Sequence, residues 1–290
     1  MSTPDYTERR YTSQDGLSLY FRDYGDAASP RLPVLCLPGL TRNSKDFAAV
    51  AARLAAERRV VCPDLRGRGR SDHDPNPSNY QPATYVNDIR HLIAVCGLHG
   101  VAIIGTSLGG LLAMGLGVAA PGAIAGVVLN DVGPEITPAA AELIIDYVSN
   151  DKPQPDFDGA LAATRERFAE FDAWDDAALR DVAEATYCLG EDGLWHFDWD
   201  TKLAEPLRNG SANHDLWALF GAIRNVPVLA IRGDRSDLLP ESGLEAMKRE
   251  HADLETAVVA GVGHAPRLSE PEATEAIDRF LARLDARRAA

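Results

Sequence analysis

Short runs of uninterrupted apolar residues recur along this chain: PVLCLPG (33–39), RVVCPD (59–64), VAIIG (101–105), AGVVLND (125–131) and PVLAIRG (227–233). A strand with one wet face alternates apolar and polar residues. Runs that are apolar at nearly every position therefore predict strands covered on both faces, as in a parallel sheet between helices. Segments of helical period separate them: DFAAVAARLAAE (46–57), YVNDIRHLIAVCG (85–97) and LGGLLAMGLGVAA (108–120). The same rhythm returns late in the chain with ESGLEAMKRE (241–250), ETAVVAG (255–261) and EATEAIDRFLARLDARR (272–288). RYTSQDG and LSLYFRDYG predict an opening hairpin around Asp15-Gly16, a favoured turn pair. Strand–helix alternation after a hairpin means an α/β protein with one mostly parallel sheet flanked by helices.

Residues 133–215 break that rhythm. AELIIDYVSN, GALAATRERFAEF and DAALRDVAEATYC are amphipathic and helical in period, and the segment holds three of the four tryptophans. It reads as an inserted helical cap, with residues 1–132 and 216–290 forming the two parts of the core.

Among the 290 residues the formal charge is −14, so the general field repels phosphate, and neither nucleic acid nor an anionic membrane surface is expected as a partner. No apolar run approaches the roughly 20 residues that span a bilayer. MSTPDYTERRYTSQDG lacks the apolar core of a secretory signal. Cysteines at 36, 62, 96 and 188 have no CxxC spacing, and Cys36 and Cys62 lie within apolar runs. That pattern fits free buried thiols in a reducing compartment, and the cytoplasm is the expected location. No ligand cluster for zinc is visible.

VAIIG runs straight into Gly105-Thr106-Ser107-Leu108-Gly109-Gly110 and then an apolar helix. A G-x-S-x-G motif matters in this strand–turn–helix setting because the serine must sit on a sharp, strained turn. Glycines two before and two after let strand and helix approach without a Cβ clash. The helix N-terminus then aims N–H groups at the place where an oxyanion would develop. A serine hydroxyl is a weak nucleophile that needs a base. Of the seven histidines (73, 91, 99, 196, 214, 251 and 264), only His264, in GVGHAP, lies beyond the end of a late core strand. Pro38-Gly39-Leu40 follows a strand in the place of a second oxyanion loop, which makes the N–H groups of Leu40 and Leu108 the expected donors. The competing reading is an ordinary turn before a helix capped by Ser44. IRGDRSDLLP (231–240) offers Asp234 and Asp237 as carboxylates to orient the imidazole.

LPGL, PDLRGRGRSD, GTSLGG, LNDVGP, IRGDRSDLLP and GVGHAP together resemble the α/β-hydrolase superfamily, over nearly the whole chain. The resemblance implies an eight-stranded, mostly parallel sheet, a Ser-Asp-His triad and no cofactor. Carried over by position, it makes Ser107 the nucleophile, His264 the base, and Leu40 and Leu108 the oxyanion donors. Asp64, Arg66 and Arg68 in PDLRGRGRSD read as scaffold ion pairs. The chain departs from the family pattern where Pro38 replaces a histidine and where Ser236 occupies the usual place of the acid. Asp237, one residue on, is therefore the preferred acid. Asp131 in LNDVGP and Asp234 are the alternatives.

Trp217 and Phe220, at i, i+3 spacing, are candidate pocket residues, or else anchors of cap to core. Arg42 in LTRNSKDF is placed to meet a substrate carboxylate, with a solvated arginine the competing reading. The expected function is hydrolysis of esters or lactones of small-to-medium apolar molecules through an acyl-enzyme. Hydrolysis of carbon–carbon bonds in aromatic ring-cleavage products is the runner-up, and a slow-turnover ligand receptor is the alternative from another class.

Overall fold

The computed structural model describes residues 6–135, 138–208 and 215–289. The opening hairpin pairs β1 (Tyr6–Thr12) with β2 (Ser18–Tyr24), and Gly16 takes φ 93° in the turn, as the Asp15-Gly16 pair requires. The chain then alternates β3 (Val34–Leu37), α1 (Ala48–Leu54), β4 (Val60–Pro63), α2 (Pro82–Val95), β5 (Val101–Thr106), α3 (Leu108–Ala119) and β6 (Ile124–Asn130). An excursion follows, with α4 (Pro138–Ser149), α5 (Phe157–Arg167), α6 (Asp176–Thr186), β7 (Tyr187–Leu189), β8 (Trp195–Phe197), α7 (Ala204–Arg208) and α8 (Leu216–Gly221). The chain closes with β9 (Val228–Gly233), α9 (Glu241–Glu250), β10 (Leu254–Val259) and α10 (Pro271–Ala289).

Eight strands form one sheet in the order β1-β2-β4-β3-β5-β6-β9-β10. The pairs β1–β2 and β2–β4 are antiparallel and the rest are parallel, which is the mostly parallel eight-stranded sheet expected of the sequence. Successive side chains of a strand point to opposite faces, so the continuous apolar runs feed two cores. Leu35, Val61, Ile103 and Val127 pack on one face with residues of α2, α3 and α9. Cys36, Cys62, Ile104 and Val128 pack on the other with residues of α1 and α10. All four cysteines are free, with Cys36 and Cys62 buried.

The excursion between β6 and β9 is not wholly helical. β7 and β8 form an antiparallel pair, Tyr187 to Leu189 against Trp195 to Phe197, where Gly190 and Gly193 supply the turn and the aromatic residues Tyr187, Trp195 and Phe197 favour strand over helix. Phe197 stacks on Trp199 at 4.1 Å and meets Tyr147 of α4, so this hairpin is packed by aromatic rings.

The arginine-rich loop joins excursion to core. Gly69 N–H donates to the Asp198 carbonyl at 2.9 Å and Asp200 N–H to the Gly67 carbonyl at 2.8 Å, around an antiparallel bridge of Arg68 with Trp199. Arg66 is fully buried and paired with Asp15, Asp74 and Asp88. Asp64 accepts the N–H groups of Ser44 and Arg70. Of the three expected ion-pair residues, Arg66 forms ion pairs, whereas Asp64 accepts main-chain N–H groups and Arg68 donates to the carbonyls of Leu40 and Arg66.

Candidate active site

β5 delivers Ser107 to the carboxyl edge of the sheet. Ser107 has φ 52° and ψ −116°, a strained backbone for a non-glycine residue. The flanking glycines are needed for the reason the motif suggests. A Cβ on Gly105 would lie 2.4 Å from the Gly109 carbonyl oxygen, and one on Gly109 would lie 2.0 Å from that of Leu37. α3 therefore packs backbone to backbone on β3 and β5, with Leu108 at its first position. The N–H groups of a helix's first turn have no intrahelical acceptor, which leaves that of Leu108 free to receive an anion. Gly39 comes up beside the serine, with the position of a Cβ there only 3.8 Å from Ser107 Cβ. Leu40, Ser107, Leu108 and His264 all line one cleft of about 2750 Å³.

His264 follows β10 in the loop where the glycine pattern put it. Its Nδ1 lies 2.8 Å from Asp131 Oδ2, so the carboxylate that meets the imidazole is Asp131 and not Asp237. Asp131 is fully buried, directly after β6, with φ 54°. Its other contacts also hold the carboxylate, with Gly233 N–H donating to Oδ1 at 3.0 Å and the Ser236 hydroxyl to Oδ2 at 2.6 Å.

The turn after β9 explains why the expected acid falls outside. Ser236 N–H donates to the Gly233 carbonyl and Arg235 N–H to that of Val262. This fixes the turn with Ser236 inward and buried, leaving Asp237 exposed at the cleft rim. Asp234 is exposed too, and its Oδ1 accepts the Gly261 N–H at 2.9 Å, bracing the start of the histidine loop.

Arg42 neither floats in solvent nor stands free for a ligand. It forms a bidentate pair with Asp46 at 2.7 and 2.6 Å and donates to Thr186 of α6 at 2.5 Å. The i, i+4 spacing of Arg42 and Asp46 was the available signal. Trp217 and Phe220 are not in the cleft wall; Phe220 is buried against His251, and Trp217 Nε1 donates to Glu135 at 3.0 Å. The neighbouring face of α8 supplies the lining instead, through Leu216 and Leu219. The excursion adds Ile144, Tyr147, Phe168, Phe171 and Val182 to the wall, facing core residues such as Phe47, Val86 and Leu111.

Three further residues belong to the site. Asn130 Nδ2 donates to Thr106 Oγ1 at 3.0 Å and to the Pro266 carbonyl at 2.8 Å, tying the serine strand to the histidine loop. Arg68 Nε donates to the Leu40 carbonyl at 2.8 Å, which fixes the second oxyanion loop. Ser236 braces Asp131. The other described histidines are elsewhere; His251 is buried beside the Ile223 carbonyl and His196 is held by Asp151 and Asp192. His214 lies outside the described residues. No cluster of three metal-ligating side chains occurs among the described residues, and no helix among them is long and apolar enough to cross a membrane.

Similarity to known proteins agrees with this geometry. The chain is 36% identical over 260 residues to a 3-hydroxybutyrate-oligomer hydrolase of Cupriavidus necator, covering 87% of this chain and 88% of the relative. It is 28% identical to a 2-(acetamidomethylene)succinate hydrolase of Mesorhizobium japonicum, with 86% and 87% covered. Among solved structures, an alpha/beta hydrolase from Novosphingobium aromaticivorans superposes with a TM-score of 0.90 at 42% identity, covering 97% of this chain and 99% of that one. A sequence model described as Alpha/beta hydrolase family matches residues 34–277, and with that match the chain belongs to the alpha/beta hydrolase family.

Proposed function

We propose that the chain is a serine hydrolase that cleaves carboxylic esters through an acyl-enzyme on Ser107. The observation that carries this reading is the contact of His264 Nδ1 with the buried Asp131, in the same cleft as a serine held on a strained turn. In this mechanism Ser107 Oγ attacks the ester carbonyl while His264 Nε2 takes its proton. Asp131 fixes the tautomer and stabilises the imidazolium. The N–H groups of Leu40 and Leu108 receive the oxyanion, and loss of one such donor costs about 3 kcal/mol of transition-state stabilisation. The alcohol leaves with the proton from His264. Water then attacks the acyl group, giving its proton to His264, which passes it to Ser107 Oγ as the acyl–oxygen bond breaks and the acid is released.

Open-chain esters of short hydroxy acids are the first substrates to test. The kinship with a 3-hydroxybutyrate-oligomer hydrolase supports that class. So does the cleft beside Ser107 and His264, which is open to solvent and lined by apolar side chains such as Leu108, Ile144, Phe168 and Leu219.

The test compares wild type with Ser107→Ala on linear 3-hydroxybutyrate dimers, p-nitrophenyl esters of graded length, lactones and a vinylogous diketone. Wild type is expected to turn over the open-chain esters and to take up a fluorophosphonate probe at Ser107. The variant should do neither while keeping its melting temperature within a degree or so. Ester turnover at the wild-type rate in Ser107→Ala would refute the proposal, and turnover of the diketone alone would move it to carbon–carbon hydrolysis.

A further inference from the structure

Four arginines line the cleft from the loops beside the triad and from the excursion: Arg42, Arg167, Arg235 and Arg267. Three of them already face carboxylates, Arg42 that of Asp46, Arg235 that of Asp172 and Arg267 that of Asp181. Arg167, the last residue of α5, meets no carboxylate among the described residues. Its guanidinium lies instead over the ring of Tyr147 on α4, 3.8 Å from the centroid. Stacking uses the face of the guanidinium and leaves its in-plane N–H fork free, which is the edge that grips a carboxylate. Tyr147 also lines the cleft, and burial raises its phenol above the ordinary value, so the hydroxyl keeps its proton as a second donor. We infer that Arg167, laid on Tyr147, is a subsite for a free carboxylate at the end of the substrate remote from the ester being cut.

The subsite rests on the ester-hydrolase reading and deepens it. Contacts lead from it to the serine. The Cβ position of Gly39 is 3.8 Å from Ser107 Cβ and 3.3 Å from Arg42 Cγ. The Tyr147 phenol in turn lies within the fields of both Arg167 and Arg42. Arg42 is held by Asp46 and Thr186, so of the two arginines that flank the phenol only Arg167 has its fork free. One guanidinium beside a neutral phenol balances a single negative charge, which suits a monocarboxylate better than a doubly charged phosphoryl group. A linear oligomer of hydroxy acids ends in such a carboxylate, on the alcohol side of each of its esters. Anchored at Arg167, the oligomer is cut at the ester that its length then lays on Ser107, and the alcohol released carries the carboxylate away as a shorter hydroxy acid.

The test uses the full chain and pairs the linear 3-hydroxybutyrate dimer and trimer acids with their terminal carboxamides, which match them in length and carry no charge. In wild type, KM for the acid that is turned over faster should lie about tenfold below that of its carboxamide, with kcat similar, the difference being one charge-assisted contact. Raising sodium chloride from about 50 to about 500 mM should raise KM for the acid and not for the carboxamide. In Arg167→Gln both the acid preference and its salt dependence should disappear. The wild-type comparison stands whether or not that variant folds. Equal KM for acid and carboxamide in wild type, or an acid preference that survives in Arg167→Gln, overturns the subsite. Failure of the ester reading looks different, because neither acid nor carboxamide would then be cleaved. Binding to Ser107→Ala decides the subsite in that case. Calorimetric titration should show the acid about tenfold tighter than the carboxamide, an advantage lost when Arg167→Gln is added, and equal affinities overturn the subsite.

Discussion

At the residue scale, the histidine loop is held by Asp131, Asn130 and Asp234, each by a different atom. Asp131→Asn should therefore lower kcat by on the order of 10⁴, because an amide favours the wrong imidazole tautomer. Asp237→Asn should stay within about twofold of wild type; steady-state rates on one p-nitrophenyl ester decide between the two carboxylates. Ser107 and His264 were legible because their signals are local: glycines at fixed offsets, and a histidine just past a strand end. The acid was not, because three aspartates follow strand ends within reach. The choice among them depends on which strands are neighbours and on the positive φ at Asp131, neither of which has a local sequence signature. Arg42 was read as a ligand contact or a solvated side chain; its pairing with Asp46, four residues on, went unread.

At the element scale, the packing of α3 on β3 and β5 sets the serine turn. Gly109 has a carbonyl oxygen where its Cβ would be, so Gly109→Ala forces the helix off the sheet. The expected cost is about 3 kcal/mol or more, read as a lower urea midpoint, together with lost activity as Leu108 moves. Unchanged stability in that variant would mean α3 has more freedom than the contact allows. Strands and core helices were readable because their apolar runs match the period of each element. α8 is only six residues long, so spacing left Trp217 and Phe220 open between lining the pocket and anchoring to the core, and it is Leu216 and Leu219 that line the cleft. The short β7–β8 hairpin escaped for a related reason: three-residue strands fall below any periodic window.

At the scale of the whole molecule, two regions meet across the cleft, and the excursion has its own internal bracing. His196 on β8 is raised in pKa, first by the hydrogen bond to Asp151 and then by that to Asp192. A histidine whose folded pKa lies above its unfolded value of about 6.5 stabilises most below that pH, and the contribution fades as pH rises through the folded value. Melting temperature should thus fall between pH 6 and pH 8.5 by more in wild type than in His196→Gln, in scans at fixed ionic strength. Parallel curves would show that this cluster carries no pH-linked stability. On the other side, the aromatic ring of Phe171 lies so close to Gly263 that a Cβ there would come within 2.8 Å of it. The excursion thus rests on the residue beside His264 as well as on the arginine-rich loop.

That second attachment divides what can vary from what cannot. Gly67, Gly69, Asp198 and Asp200 join through main-chain amides and carbonyls, and the positive φ of Gly67 and Gly69, with Tyr80 and Asp64 where a Cβ would lie, keeps both glycines in place. The cleft wall, from Ile144 to Val182, is made of side chains. Substitutions can therefore reshape the chamber without unfastening its roof. A scaffold organised this way can change what it admits while Arg68, at the seam, keeps Leu40 in place beside the serine.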